Sequence, residues 1–183
     1  LADAAEAAGT NGVAIGSSAR SKSNQSVAIG YFSVAQAPGA SPENPATAVG
    51  AGANANGAGT VALGLSANAT GANAVALGGG SNGGKNKTEA TAANATAVGF
   101  NAKASNSGAS AIGTNAKATG ENSVAVGSGA GNSGPLGFAS SINSSGSVVN
   151  TLKTINYATT AEGNNAVALG FYANAKNSVV AVG

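Results

Sequence analysis

The side chains able to do acid–base or ligand chemistry in this 183-residue chain are few and scattered. Its acids are Asp3, Glu6, Glu43, Glu89, Glu121 and Glu162, and it contains no His and no Cys. The usual general base near neutral pH and the commonest metal ligand are therefore both missing. Disulfides, thiolate metal sites and a thiol nucleophile are excluded as well. Two carboxylates flanking a glycosidic bond could cleave it, but these acids stand far apart in sequence and only insertion loops could bring two together. No catalytic, cofactor-binding or metal-ligating residue is assigned, and no cofactor is expected. Arg20, Lys103 and Lys117 share a position in the repeat described below. A row of outward cations could attract acidic polymers in a salt-dependent way, although solvation of a wet face is the plainer reason for them.

Composition narrows the elements that could carry such a row. Hydrophobic residues make up 43% of the chain but aromatics only 4%, and much of the apolar share is Ala, so a thick Leu-rich core is not expected. Charged residues are 8%, far below the roughly 25% of ordinary soluble domains, and the formal balance is +2. A basic patch for nucleic acid does not follow from so few groups, and no nucleic-acid partner is expected. The chain has no apolar run of 18 residues and no signal-peptide pattern, so direct membrane contact is not expected and any export address lies elsewhere.

The aliphatic residues come in packets of four, an apolar residue or Thr/Ser, then Ala, then Val/Ile/Leu, then Gly. These packets end at Gly16, Gly30, Gly50, Gly64, Gly78, Gly99, Gly113, Gly127, Gly170 and Gly183. The commonest step is 14, and the steps of 20 and 21 become 14 when a short insertion is removed. With the packet glycine numbered zero, offsets three and five hold Ala (Ala53 and Ala55, Ala67 and Ala69) around a polar offset four (Asn54, Asn68, Lys103). That alternation is a strand with one wet face. Offset seven holds Gly57, Gly71 and Gly120, where a turn with φ > 0 is expected. The packet is a second strand, with no polar residue in copies such as Val61-Ala62-Leu63, and both of its faces read as buried.

Each fourteen-residue unit is thus an outer strand, an inner strand and two turns, and it hides its apolar side chains only by stacking on the next unit as a parallel β-solenoid. Ten coils at about 4.8 Å make a rod on the order of 50 Å long. The Ala-rich opening fits as a further outer strand, with Glu6 at offset four. In the narrow lumen, large side chains facing small ones fill space without voids. The expected core is therefore Val13, Ile15, Val27, Ile29, Val61, Leu63, Val75, Leu77, Val124, Val126, Val167 and Leu169, set against the outer Ala pair. Ala14, Ala28, Ala62, Ala76, Ala125 and Ala168 then form a stripe on the outside, where another copy of the chain would cover it. The reverse facing, with Val and Ile at the subunit contact, stays open.

Copies such as NSVAVG (Asn122 to Gly127), NAVALG (Asn73 to Gly78) and NGVAIG (Asn11 to Gly16), each followed by a short Ala/Asn strand, resemble the head repeats of YadA-like trimeric autotransporter adhesins. The resemblance covers nearly all of the chain except residues 128 to 156. It implies an all-β, left-handed parallel β-roll with three chains side by side, a homotrimer. It also implies a non-enzymatic extracellular head on a Gram-negative cell surface, anchored in the outer membrane by regions outside this chain. Such heads attach to host extracellular-matrix proteins or host cells, or to one another. No short motif carries a ligand site onto particular positions, so the ligand-binding residues stay unknown.

The chain reads as a single head domain, 1–183, with insertions near 37–45, 79–85 and 128–156. The first is Pro-rich and should leave the sheet. The third holds Leu136, Phe138, Ile142, Val148, Val149, Leu152 and Ile155, and the spacing of Val149, Leu152 and Ile155 is compatible with one or two helical turns. It is expected to pack on neighbouring coils or on an adjacent subunit. Tyr31, Phe100, Tyr157 and Phe171 share offset one with Leu65, which implies a common environment, a corner between strands or a subunit seam. Two other readings of the rod are a purely structural surface fibre and an ice-binding solenoid. The second needs Thr at one outward offset in coil after coil, and Asn56 and Ser105 interrupt the row that Thr70 and Thr119 begin.

Overall fold

The computed structural model describes residues 4–37, 45–81, 85–128, 137–142, 148–153, 158–171 and 173–183. The Pro-rich stretch expected to leave the sheet and most of the insertion near 128–156 lie outside the described residues. The fold is the expected parallel β-roll, with two ten-stranded parallel sheets running the length of the chain. The outer sheet begins at Glu6–Ala7 and ends at Asn174–Ala175, and the inner sheet runs from Val13–Ile15 to Val180–Val182. Each strand pairs with its counterpart one coil on, as Asn54 does with Asn68 and Val61 with Val75. The insertions leave this register untouched, since Thr47 still lies beside Val27 and Thr160 beside Lys117.

The lumen is where the structure departs from the expected facing. Ala28, Ala62, Ala76, Ala125 and Ala168 are fully buried inside the coil, and Ala14 is half-buried at the first coil. The side chains expected as core point outward instead. Ile15 is 57% exposed and Leu63 and Leu169 37%, Val13 is exposed as well, and Val27, Ile29, Val61, Val75, Leu77, Val124, Val126 and Val167 are half-buried. The reason is thickness. Sheets that interdigitate large side chains sit about 10 Å apart, and fourteen residues spent on two short strands and two turns cannot close around that distance. Only small side chains fit, so the lumen is lined by Ala from both strands, as Ala67, Ala69, Ala74 and Ala76 show in one turn of the roll, with Ser or Thr at some positions.

The same crowding sets the turns. At Gly30 the backbone has φ of +124°, and a Cβ there would lie 2.7 Å from the Gly50 carbonyl carbon of the next coil. The offset-seven glycines are different from expectation, because Gly57, Gly71 and Gly120 are not among the residues with positive φ. They are required by close approach, a Cβ on Gly57 falling 2.9 Å from the Thr70 oxygen. The left-handed positions are offset two, with Ser66, Asn101 and Asn115, and offset nine, with Asn73, Asn94 and Asn122. Asn tolerates that region better than other non-glycine residues.

Two insertions leave from one corner of the roll. In a regular coil the offset-three N–H closes a turn onto the packet glycine, as Ala67 does on Gly64 at 3.2 Å. Where the chain returns after the loop near 79–85 and after the long insertion, offset three is Thr88 and Thr159. Each buried hydroxyl donates to the packet glycine carbonyl of the following coil, Thr88 to Gly99 at 2.6 Å and Thr159 to Gly170 at 2.7 Å. Each also reaches the carbonyl at which the chain left, Gly79 and Ser128, both at 3.3 Å. The long insertion contains an antiparallel hairpin, Gly137–Ile142 with Val148–Lys153, so Val149 and Leu152 lie in a strand and not in a helical turn. Among the described residues the hairpin strands pair with each other, and the rest of the insertion, with the expected packing on neighbouring coils or on an adjacent subunit, lies outside the described residues.

Candidate functional site

With the lumen filled by small side chains, the two long sheets meet a partner through their outward rows and the corners between them. On the inner sheet the outward row is apolar. Val13 and Ile15, Val27 and Ile29, Val61 and Leu63, Val75 and Leu77 stand in register, followed by Val98, Ile112, Val124, Val126, Val167 and Leu169. β-Branched residues stacked at strand spacing pack well on a pleated surface. Thr47, Thr96 and Ser110 interrupt the row at offset eleven without introducing charge. A continuous apolar strip about 40–50 Å long and two side chains wide amounts to a few hundred Å², the upper range of what monomers leave open.

The offset-one residues line the corner at the end of this strip. Tyr31 and Phe171 are 58% exposed, Phe100 41% and Leu65 37%. Their common environment is an exposed corner, and Tyr31 also stacks edge-on against Phe32, ring centroids 4.4 Å apart. Tyr157 lies outside the described residues.

The outward row of the outer sheet is polar and charged. Asn54 Nδ2 donates to Asn68 Oδ1 at 2.8 Å, so amides stack as a ladder. Of the three cations singled out by their shared offset, Arg20 lies 4.0 Å from the Glu6 carboxylate of the preceding coil, and Lys103 lies 3.0 Å from Glu89. Lys117, next in the row, makes no ion pair among the described residues. Glu89 also receives Lys87 at 3.1 Å. Partial burial alone would push its carboxyl up, but hydrogen bonds and charge from Lys103 and Lys87 outweigh that and hold it below the ordinary value. In the sequence Glu89 stands as an isolated acid. Its place in the row becomes visible once seven residues are removed before it, because it then falls at offset four.

Among the described residues the one partly buried carboxylate is neutralised by two lysines, and no three acidic side chains gather where they could hold a metal ion. Several buried hydroxyls donate to backbone carbonyls, as Thr60 does to Gly57 at 2.8 Å and Ser123 to Gly120 at 2.7 Å. Comparison with known families gives one match. The model of the YadA head domain repeat (2 copies) fits residues 7–39, 45–67, 55–81, 90–115, 104–130 and 157–173. No curated protein matches the chain.

Proposed function

This chain belongs to the family of YadA head domain repeats, surface-exposed domains of adhesin type, and from that premise we propose that it is the non-enzymatic head of a trimeric bacterial adhesin. Three copies stand side by side with their inner sheets turned toward one another, anchored in the outer membrane through regions outside this chain. The outer sheets and corners then meet host matrix, host cells or other heads.

The observation that supports this most directly is the apolar row of the inner sheet. Ten strands in register carry Val, Ile or Leu outward with no charged residue among them, while the opposite sheet carries every Arg, Lys and Glu of its strands outward. A strip of that size in water is stabilised by covering it, and a second and third copy supply the same strip in the same register. The proposed interface therefore exchanges the faces first expected, with Val61, Leu63, Val75 and Leu77 at the contact and Ala62 and Ala76 inside the coil.

Sedimentation equilibrium tests the assembly. The expected mass is three times 16.8 kDa, and a folded monomer at micromolar concentration removes the proposal. Retention of that assembly on immobilised matrix proteins or fixed host cells, measured against a coiled-coil rod of similar length, tests adhesion. A head that binds neither those surfaces nor itself is a spacer.

A further inference from the structure

Charge is not spread evenly along the outer sheet, and its unevenness coincides with the two insertions that share a corner. Residues 45–81 contain no Lys, Arg, Asp or Glu at all. The next three coils carry Lys85 and Lys87 where the chain returns from the loop, and Lys103 and Lys117 on adjacent strands that follow Glu89 in register. Against these four cations the same coils set two acids, Glu89 in the sheet and the exposed Glu121 in a turn, and Glu89 is used to hold Lys87 and Lys103 in place at 3.1 and 3.0 Å. Lys103 and Lys117 project from adjacent strands about 4.8 Å apart, in line along the rod axis. Two residues before each lysine is the Asn of the corner, Asn101 donating to Asn115 at 2.7 Å, with the exposed Phe100 ring beside it. This corner stretch lies between Gly79 and Ser128, the points at which the two insertions leave.

We propose that these coils form a binding face for a sulfated polysaccharide laid along the rod, with Lys85, Lys87, Lys103 and Lys117 contacting sulfates and the Phe100–Asn101 corner contacting the sugar. The proposal rests on the surface-adhesin reading above and names a ligand class for it. Several features favour this polymer. Cations spaced by one strand in a straight line suit a linear chain with dense negative charge, and amide and aromatic groups at one edge suit hydroxyls and sugar rings. A nucleic acid is less well served. Nonspecific binding of a duplex draws on about six to ten phosphate contacts, the chain has a net charge of only +2, and Phe100 is the single exposed ring in these coils on which a base could stack.

The test is retention of the purified assembly on immobilised heparin over a salt gradient, with competition by desulfated heparin and by duplex DNA. The wild-type chain is expected to bind at low salt and to elute earlier when Lys103→Ala and Lys117→Ala are combined. That double variant should lose about tenfold in affinity, and its log–log salt slope should fall by roughly one to two, the change expected for two lost ionic contacts. Lys103→Arg with Lys117→Arg should restore binding. Glu89→Gln, which frees two lysines, should elute later than wild type. Arg20→Ala with Lys22→Ala removes equal charge from a distant coil and should leave elution nearly unchanged, and all variants should keep their sedimentation mass. An equal loss in the Arg20/Lys22 variant, equal competition by desulfated heparin or DNA, or no retention at all overturns the inference. If the assembly fails on heparin yet still binds matrix proteins, this inference falls and the adhesin reading stands.

Discussion

The two sheets of the roll are alike on the inside and opposite on the outside. Toward the lumen both present Ala, fully buried at Ala53 and Ala55 on one sheet and at Ala48 and Ala62 on the other. Away from it, the outer sheet shows Asn54, Asn68, Glu89 and Lys103, and the inner sheet shows Val61, Leu63, Val75 and Leu77. The difference separates two tasks within one coil. Closing the coil depends on methyl-sized side chains at four inward offsets and on glycine where backbones approach. What the rod meets depends on the outward offsets, which can change without disturbing the lumen. In most domains large apolar residues make the core, whereas here they make a surface, and the core contributes little per residue because each Ala buries only about one methyl group, worth roughly 0.8 kcal/mol.

The sharpest way to break this comparison is to charge the apolar face. Val61→Asp combined with Leu63→Asp is expected to convert the assembly into monomers at micromolar concentration, because each subunit would bury unpaired carboxylates. Sedimentation should report monomer mass, and an unchanged trimer would mean that the inner sheet is not the contact. The matched pair Asn54→Val and Asn68→Val on the outer sheet should leave the mass unaltered.

Enlarging a lumen residue probes the other side of the comparison. Ala62→Leu adds three heavy atoms where the neighbouring coils leave no room, and overpacking of a tight core costs about 1–3 kcal/mol, occasionally more. Its denaturation midpoint should fall well below wild type, whereas Leu63→Ala, one residue away but outward, should perturb a coil far less than the assembly. Equal unfolding losses from both would contradict the facing described above.

A smaller effect is expected at the corner. Thr88→Val keeps the shape but removes the hydroxyl from the Gly99 carbonyl, which still accepts from the Ala102 N–H at 3.3 Å, so the loss should be that of one hydrogen bond, about 0.5–1.5 kcal/mol. The same change at Thr159 should cost a similar amount, and two unlike values would separate the short loop from the hairpin insertion.

The smallest effect belongs to Glu89. Its carboxyl is held below the ordinary value in the folded chain, so its contribution is present above the unfolded value of about 4.5 and is lost as pH falls through the depressed folded value. The stability difference between wild type and Glu89→Gln should therefore be flat from neutral pH to about 5 and shrink in stronger acid. A difference that grows on acidification would show that the two lysines do not stabilise the carboxylate.

Much of this organisation can be read from the letters alone. The fourteen-residue step, the two strands per coil and the parallel stacking follow from where Gly and Ala recur, and even the opening strand at Glu6–Ala7 follows by counting back from Gly16. Val-Ala-Leu alone does not fix the facing of the packet, which depends on the residue before it. Offset ten holds Ala46, Thr60, Ala74, Ala95 and Ala109, all buried, and a small residue there shares a face with the Ala at offset twelve. The left-handed turn positions are hidden for another reason. Asn at offsets two and nine is common in a chain so rich in Asn, and only the backbone path shows which of them carry positive φ. The pairing of Glu89 with Lys87 and Lys103 required knowing that the loop near 79–85 leaves at a corner and returns in register.

Sequence by itself determined the period, the strands, the small size of the lumen residues and the family, because a repeat that must stack on itself writes its contacts at constant intervals. Tertiary structure decided which side of each strand looks inward, what stands beside what on the outer rungs, and how the insertions are tied back. Those depend on the distance between two sheets, and that distance is set by how tightly the turns close the coil, a property of the whole winding that no single interval encodes.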